Sequence, residues 1–77
     1  MPTLYATASW KITMYFRDHG PPHFHVVTKD RREVQVRLAD LAVIAGGVPK
    51  PTLNAALKWA AANRPRLVAK WRDLHPA

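Results

Sequence analysis

The chain has 77 residues, 48% of them apolar, and no cysteine. It lies near the lower size at which a single apolar core suffices, and disulfides and thiolate metal sites are excluded. A net charge of +7 and a pI near 10.6 favour polyanionic partners, either nucleic acid or an acidic protein. No apolar run approaches the roughly 18 residues needed to span a bilayer, and Met1-Pro2-Thr3-Leu4 lacks the charged and apolar regions of a signal peptide. The expectation is a single cytoplasmic domain over residues 1–77 with no membrane association.

In chain order, Leu4 to Ala8 reads as an edge strand. Trp10, Ile12, Met14 and Phe16 alternate with Lys11, Thr13, Tyr15 and Arg17, the period of a half-buried strand. Gly20, Pro21 and Pro22 break that pattern. Phe24, Val26 and Thr28 then share one strand face, while His23, His25 and Val27 share the other. Lys29-Asp30-Arg31-Arg32 is a polar connector of hairpin length. Val34, Val36 and Leu38 alternate with Gln35 and Arg37 in a further strand. Leu41 to Ala45 suggests a last short strand, stopped by Gly46-Gly47.

From Val48 the period changes. A helix is expected to start between Pro49 and Thr52, since proline is tolerated in a first turn that has no intrahelical donor to lose. Leu53, Ala56, Leu57 and Ala60 form its apolar stripe. Asn63 ends this helix or caps the next, which has Pro65 in its first turn and the stripe Leu67, Val68, Trp71 and Leu74. Trp59 lies off the main stripe, as a core-edge residue or part of a partner-binding patch. The fold class is therefore α+β: a small antiparallel sheet of four or five strands followed by two C-terminal helices packed on one face.

Three of the four histidines fall between His19 and His25, around the Gly-Pro-Pro turn. Residues two apart on a strand point the same way, so His23 and His25 can face one reacting group while Phe24 anchors the strand in the core. His19 could approach the same spot if the turn folds back. Three readings stand side by side. In the first, His19, His23 and His25 perform acid–base catalysis on a phosphodiester, because imidazole titrates near neutral pH and serves both proton roles. Arg17, Arg31, Arg32 and Arg37 would then bind the nucleic acid or stabilise developing anionic charge. In the second, His-x-His with His19 or Asp18 holds a divalent metal such as zinc, although no second ligand cluster supports it. In the third, the histidines are structural, hydrogen-bonded around a rigid corner. No cofactor is required by the first or the third.

Other templates do not fit. Gly46-Gly47 lacks the lysine of a phosphate-binding loop, the five acidic residues are not clustered, and Ser9, the only serine, has no nucleophile-elbow context.

The run Met14-Tyr15-Phe16-Arg17-Asp18-His19-Gly20-Pro21-Pro22-His23-Phe24-His25-Val26 resembles the signature of a family of short bacterial proteins, domain-of-unknown-function family 4160. Met1-Pro2-Thr3 and the pattern of leucines, Trp59 and Trp71 between Pro49 and Trp71 fit the same family. Asp18, His19, Pro21, Pro22, His23, Phe24 and His25 occupy the signature positions. Genes of this family often stand beside a second small gene, as toxin–antitoxin pairs do. The resemblance thus implies one component of such a module, with a small cognate partner protein.

Two function classes follow from residues and resemblance together. One is a toxin-like factor that acts on nucleic acid, as a metal-independent ribonuclease using the three histidines. The other is a non-catalytic basic adaptor that binds nucleic acid or an acidic partner protein.

Overall fold

A computed structural model describes residues 3–15 and 20–76. Five strands run in the order β1 (Thr3–Ala6), β2 (Trp10–Thr13), β3 (His23–Thr28), β4 (Glu33–Arg37) and β5 (Val43–Gly47), then α1 (Lys50–Ala62) and α2 (Arg64–Leu74). Spatial order equals chain order, and every neighbouring pair is antiparallel. The α+β expectation of a sheet followed by two helices is met.

The register explains which side chains share a face, because residues directly opposite in antiparallel strands project to the same side. Ile12 stands opposite Val26, which stands opposite Val34, and Phe24 opposite Val36. These five bury against Ala56, Ala60 and Leu67 of the helices, with Met14, Leu4 and Leu38 completing the core. Trp59, half-buried, stacks on Tyr5 with ring centroids 4.7 Å apart and packs against this core. It is a core-edge residue.

Three boundaries differ from the sequence pattern. β1 ends at Ala6 because Thr7 turns the chain: its hydroxyl accepts from the Ser9 and Trp10 amides. β2 ends at Thr13, whose partner is His25; β3 extends two residues further, opposite β4, so Met14 and Tyr15 lie outside the ladder. Phe16 lies outside the described residues.

The third difference concerns the glycines, which belong to β5 instead of terminating it. Gly46 has φ +73°, and a Cβ there would stand 2.3 Å from the Glu33 carbonyl oxygen. Glycine is what lets β5 approach β4 this closely.

Asn63 does end α1. Its side-chain amide donates to the Trp59 carbonyl at 2.9 Å, while its own carbonyl accepts from Leu67 to begin α2. Two arginines of α2 fasten the helix layer to the sheet: Arg66 donates to the Leu4 carbonyl and Arg64 to the Ala39 carbonyl. Among the described residues, no helix is long and apolar enough to cross a membrane.

Candidate functional site

β3 carries the site, and its alternation decides what each side chain meets. Phe24 and Val26 point into the helix-covered core. His25 points to the opposite face, beside Thr13 on β2 and Gln35 on β4. His23, the first residue of the strand, stands opposite Arg37. A polar strand face is ordinarily wet, yet His23 and His25 are each only 4% exposed and Thr13 is fully buried.

Buried imidazoles require partners, and these have them. His23 Nδ1 lies 2.8 Å from the Pro21 carbonyl, and His25 Nδ1 is hydrogen-bonded to the Glu33 carboxylate. Both acceptors lack a proton to give, so in each neutral ring Nδ1 carries the hydrogen and Nε2 the lone pair. The Pro21 contact is short-range in sequence and fixed by the proline turn. The turn itself is tied to β4 by the Leu38 amide, which donates to the Pro22 carbonyl at 2.9 Å.

The two imidazoles belong to a longer row of rings. Their centroids are 5.1 Å apart, Tyr15 meets His25 edge-on at 4.4 Å, and Trp71 meets His23 at 5.3 Å. His75 then stacks on Trp71 at 3.8 Å, with its Nδ1–H donated to the Trp71 carbonyl. Glu33, Tyr15, Trp71 and His75 are the neighbours that sequence reasoning did not assign. Glu33 alternates with Val34 and Val36 and so falls on the histidine face, and His75 follows Trp71 by one helical turn. Neither signal names its partner without the β3–β4 register.

His19, Arg17 and Asp18 lie outside the described residues. Among the described residues, no group of three or more potential metal ligands converges.

The remaining arginines divide. Arg37 forms a forked pair with Asp40, Nε to Oδ1 at 2.9 Å and Nη2 to Oδ2 at 2.7 Å. Those bonds hold the Asp40 carboxyl down at about 2 and raise the Arg37 guanidinium further. Arg32 pairs with Asp30, whose carboxyl is lowered first by the Thr28 hydroxyl and then by Arg32. Arg31 takes a left-handed φ of +69° in the β3–β4 turn. It lines an open cleft of about 410 Å³ with Lys11, Lys29, Ala6, Thr7, Trp10, Val27 and Thr28. The cleft sits where the β1–β2 and β3–β4 turns meet, joined by the Lys29 amide donating to the Ser9 carbonyl at 3.1 Å. Among the described residues, no carboxylate pairs with Lys11, Lys29 or Arg31.

A five-stranded meander with two helices on one face and a hydrogen-bonded histidine strand on the other defines a small α+β domain built around its His-x-His strand. The family model described as "Domain of unknown function (DUF4160)" matches residues 9–72, and the chain belongs to that family. No curated protein and no solved structure matches it.

Proposed function

We propose that this chain is a non-catalytic, basic nucleic-acid-binding protein of the cytoplasm, acting as one component of a toxin–antitoxin-like module with a small cognate partner. The observation that carries the reading is the division of labour on the sheet. His23 and His25 are enclosed and hydrogen-bonded to Pro21 and Glu33, whereas Lys11, Lys29 and Arg31 gather in an open cleft without a counter-ion among the described residues. Cations left unpaired around a concavity attract phosphate and release its counterions on binding.

The test is titration of labelled RNA and DNA over a range of salt, with an RNA-cleavage assay on the same protein. Binding that weakens roughly 20-fold between about 50 and about 200 mM salt is expected if three cations meet phosphates of a single strand. The RNA should remain intact. Salt-independent association, or none, would sink the reading.

One observation favours a second reading, a histidine ribonuclease. A carboxylate on His25 Nδ1 and a carbonyl on His23 Nδ1 orient two imidazoles side by side, the arrangement in which one ring can act as base and the other as acid. Metal-independent cleavage abolished by His19/His23/His25→Ala, with the fold retained by circular dichroism, would put this reading first. Controlled expression of both forms in bacteria adds the physiological contrast: growth arrest by wild type alone marks active chemistry.

A further inference from the structure

A different groove lies between α2 and the corner that precedes β3. Arg64, Val68, Trp71 and Arg72 recur at i, i+4, i+7 and i+8, so they share one side of the helix. With Pro21, Pro22 and Leu38 they enclose about 290 Å³. Both walls are fixed. The Leu38 amide donates to the Pro22 carbonyl at 2.9 Å, and the Arg64 guanidinium to the Ala39 carbonyl at 3.2 Å. The Trp71 ring is held by its stack on His75, with centroids 3.8 Å apart.

Among the described residues, the groove is lined by three arginines, no lysine and no carboxylate. Arg37 is neutralised by Asp40, whereas no described carboxylate pairs with Arg64 or Arg72. Two of the three cations in the cleft at the joined turns are lysines, compact point charges. What this second site offers is an apolar floor beside two guanidinium forks.

We propose that this groove docks an acidic segment of the partner protein. One bulky apolar side chain enters between Trp71 and the two prolines, and flanking carboxylates pair with Arg64 and Arg72. This goes beyond the nucleic-acid reading and rests on the partner half of the proposed function. Tryptophan and arginine are enriched where a pocket receives a partner's apolar anchor, and lysine is depleted there. The planar guanidinium fork matches a carboxylate, and a chain of net charge +7 draws an acidic partner from a distance. At about 290 Å³ the groove lies at the lower end of small-ligand sites, room for a side chain or two. Its fixed walls spare the complex the cost of ordering them.

Other occupants match less of it. A nucleic acid needs a free aromatic face or a track of cations, but Trp71 is already stacked within the protein and only two guanidinium groups remain unpaired. A neutral apolar peptide would leave both of those groups without partners at the contact. A second copy of the chain, with five acidic residues against twelve basic ones, brings the wrong charge.

The experiment selects a random-peptide phage library on the full chain, then measures the labelled synthetic consensus peptide by fluorescence anisotropy. The consensus should hold one large apolar residue flanked by aspartate or glutamate. Arg72→Glu reverses an exposed rim charge and should weaken the peptide about tenfold, the scale of one lost charge-assisted contact. Arg72→Lys keeps the charge, loses the fork and should fall between that variant and wild type. Lys58→Glu makes the same charge change on an exposed part of α1 outside the groove, and should move affinity by less than about threefold. Tryptophan emission is a separate readout. The peptide should shift the wild-type signal, and most of that shift should vanish in Trp71→Phe while Trp10 and Trp59 still report a folded core.

No enriched consensus, or one without acidic residues, overturns the proposal. So does a peptide that Arg72→Glu and Lys58→Glu bind equally well, since net charge alone then holds it. If Arg72→Glu spares the peptide but weakens RNA in the salt titration more than Lys58→Glu does, the groove belongs to nucleic acid. In each of these cases nucleic-acid binding by wild type can stand while the docking groove falls. A peptide that meets every expectation, on a wild type that binds no nucleic acid, keeps the groove and removes the nucleic-acid reading.

Discussion

The two faces of β3 are buried to nearly the same degree by opposite means. On one face Phe24 and Val26 are fully enclosed by helix side chains and by Ile12, Val34 and Val36 of the neighbouring strands. Their stabilisation scales with the apolar area withdrawn from water and needs no particular geometry beyond close packing. On the other face His23 and His25 are enclosed with polar atoms that must each find a partner, and a misplaced acceptor costs more than a missing methyl group. Burial alone therefore says little about what a side chain contributes. The apolar face should respond to lost volume, the histidine face to lost directionality.

The largest effect is expected on the apolar face. Phe24→Ala should destabilise the protein by about 3–5 kcal/mol, the range for deleting a buried aromatic ring. That is a large part of the roughly 5–15 kcal/mol a small domain possesses, so urea unfolding should begin at very low denaturant. A loss below about 1 kcal/mol would mean that the helices do not cover this face.

The close approach of β5 to β4 comes next, and it touches the histidine face through Glu33. Gly46→Ala places a Cβ against the Glu33 backbone in a left-handed conformation, so about 2–4 kcal/mol should be lost, above the roughly 1–2 of the dihedral alone. Gly20 shares a positive φ of +87°, but nothing lies within 4 Å of its would-be Cβ. Gly20→Ala should therefore cost only about 1–2 kcal/mol. Matched thermal melts of the two variants separate dihedral cost from collision; equal losses would show that the β4 backbone yields.

Much of this architecture was legible in the sequence, and the limits have identifiable causes. Alternation along Trp10 to Phe16, Phe24 to Thr28 and Val34 to Leu38 named the strands and the core face, because a period of two reports burial on one side directly, although β2 itself stops at Thr13. The 3.6 period after Pro49, with prolines in the first turns, named both helices. Gly46-Gly47 was misleading because a glycine that ends a strand and a glycine that admits a neighbouring backbone look alike in one dimension. The histidine face was legible only in part. Parity put His23 and His25 on one side, but Glu33 becomes His25's partner through the register of β4, and Trp71 reaches His23 through helix packing. The split among the arginines was equally hidden: whether Arg31, Arg32 or Arg37 is neutralised depends on which way Asp30 and Asp40 turn.

On the histidine face, His25→Ala should cost about 1–3 kcal/mol, the range for breaking a buried, partnered polar group. Glu33→Gln retains a carbonyl oxygen for the His25 Nδ1–H and loses only the charge on the acceptor, so about 0.5–1.5 kcal/mol is expected. A double-mutant cycle should give a coupling of at least about 0.5 kcal/mol, the lower bound for residues in one hydrogen-bond network. Additive losses would make the Glu33 contact incidental and remove the argument for a fixed His25 tautomer.

The smallest effect belongs to the Arg37–Asp40 fork, the solvated counterpart of His25–Glu33, and acid unfolding measures it. The Asp40 carboxyl is lowered from an ordinary value of 3.8 to about 2 by the Arg37 guanidinium and the Ala42 amide. A lowered carboxyl binds its proton more weakly in the folded chain than in the unfolded one. Its contribution is therefore fully present above 3.8 and is lost as pH falls through about 2. Asp40→Asn removes this component, so variant and wild-type stabilities should differ most above about pH 4 and converge toward pH 2. Because the pair is solvated, the difference should shrink in high salt, whereas the His25–Glu33 coupling, with its imidazole enclosed, should persist. If both respond to salt alike, enclosure of the imidazole does not shield its hydrogen bond to Glu33, and the contrast between an enclosed and a solvated interaction on this sheet fails at the place where it is easiest to measure.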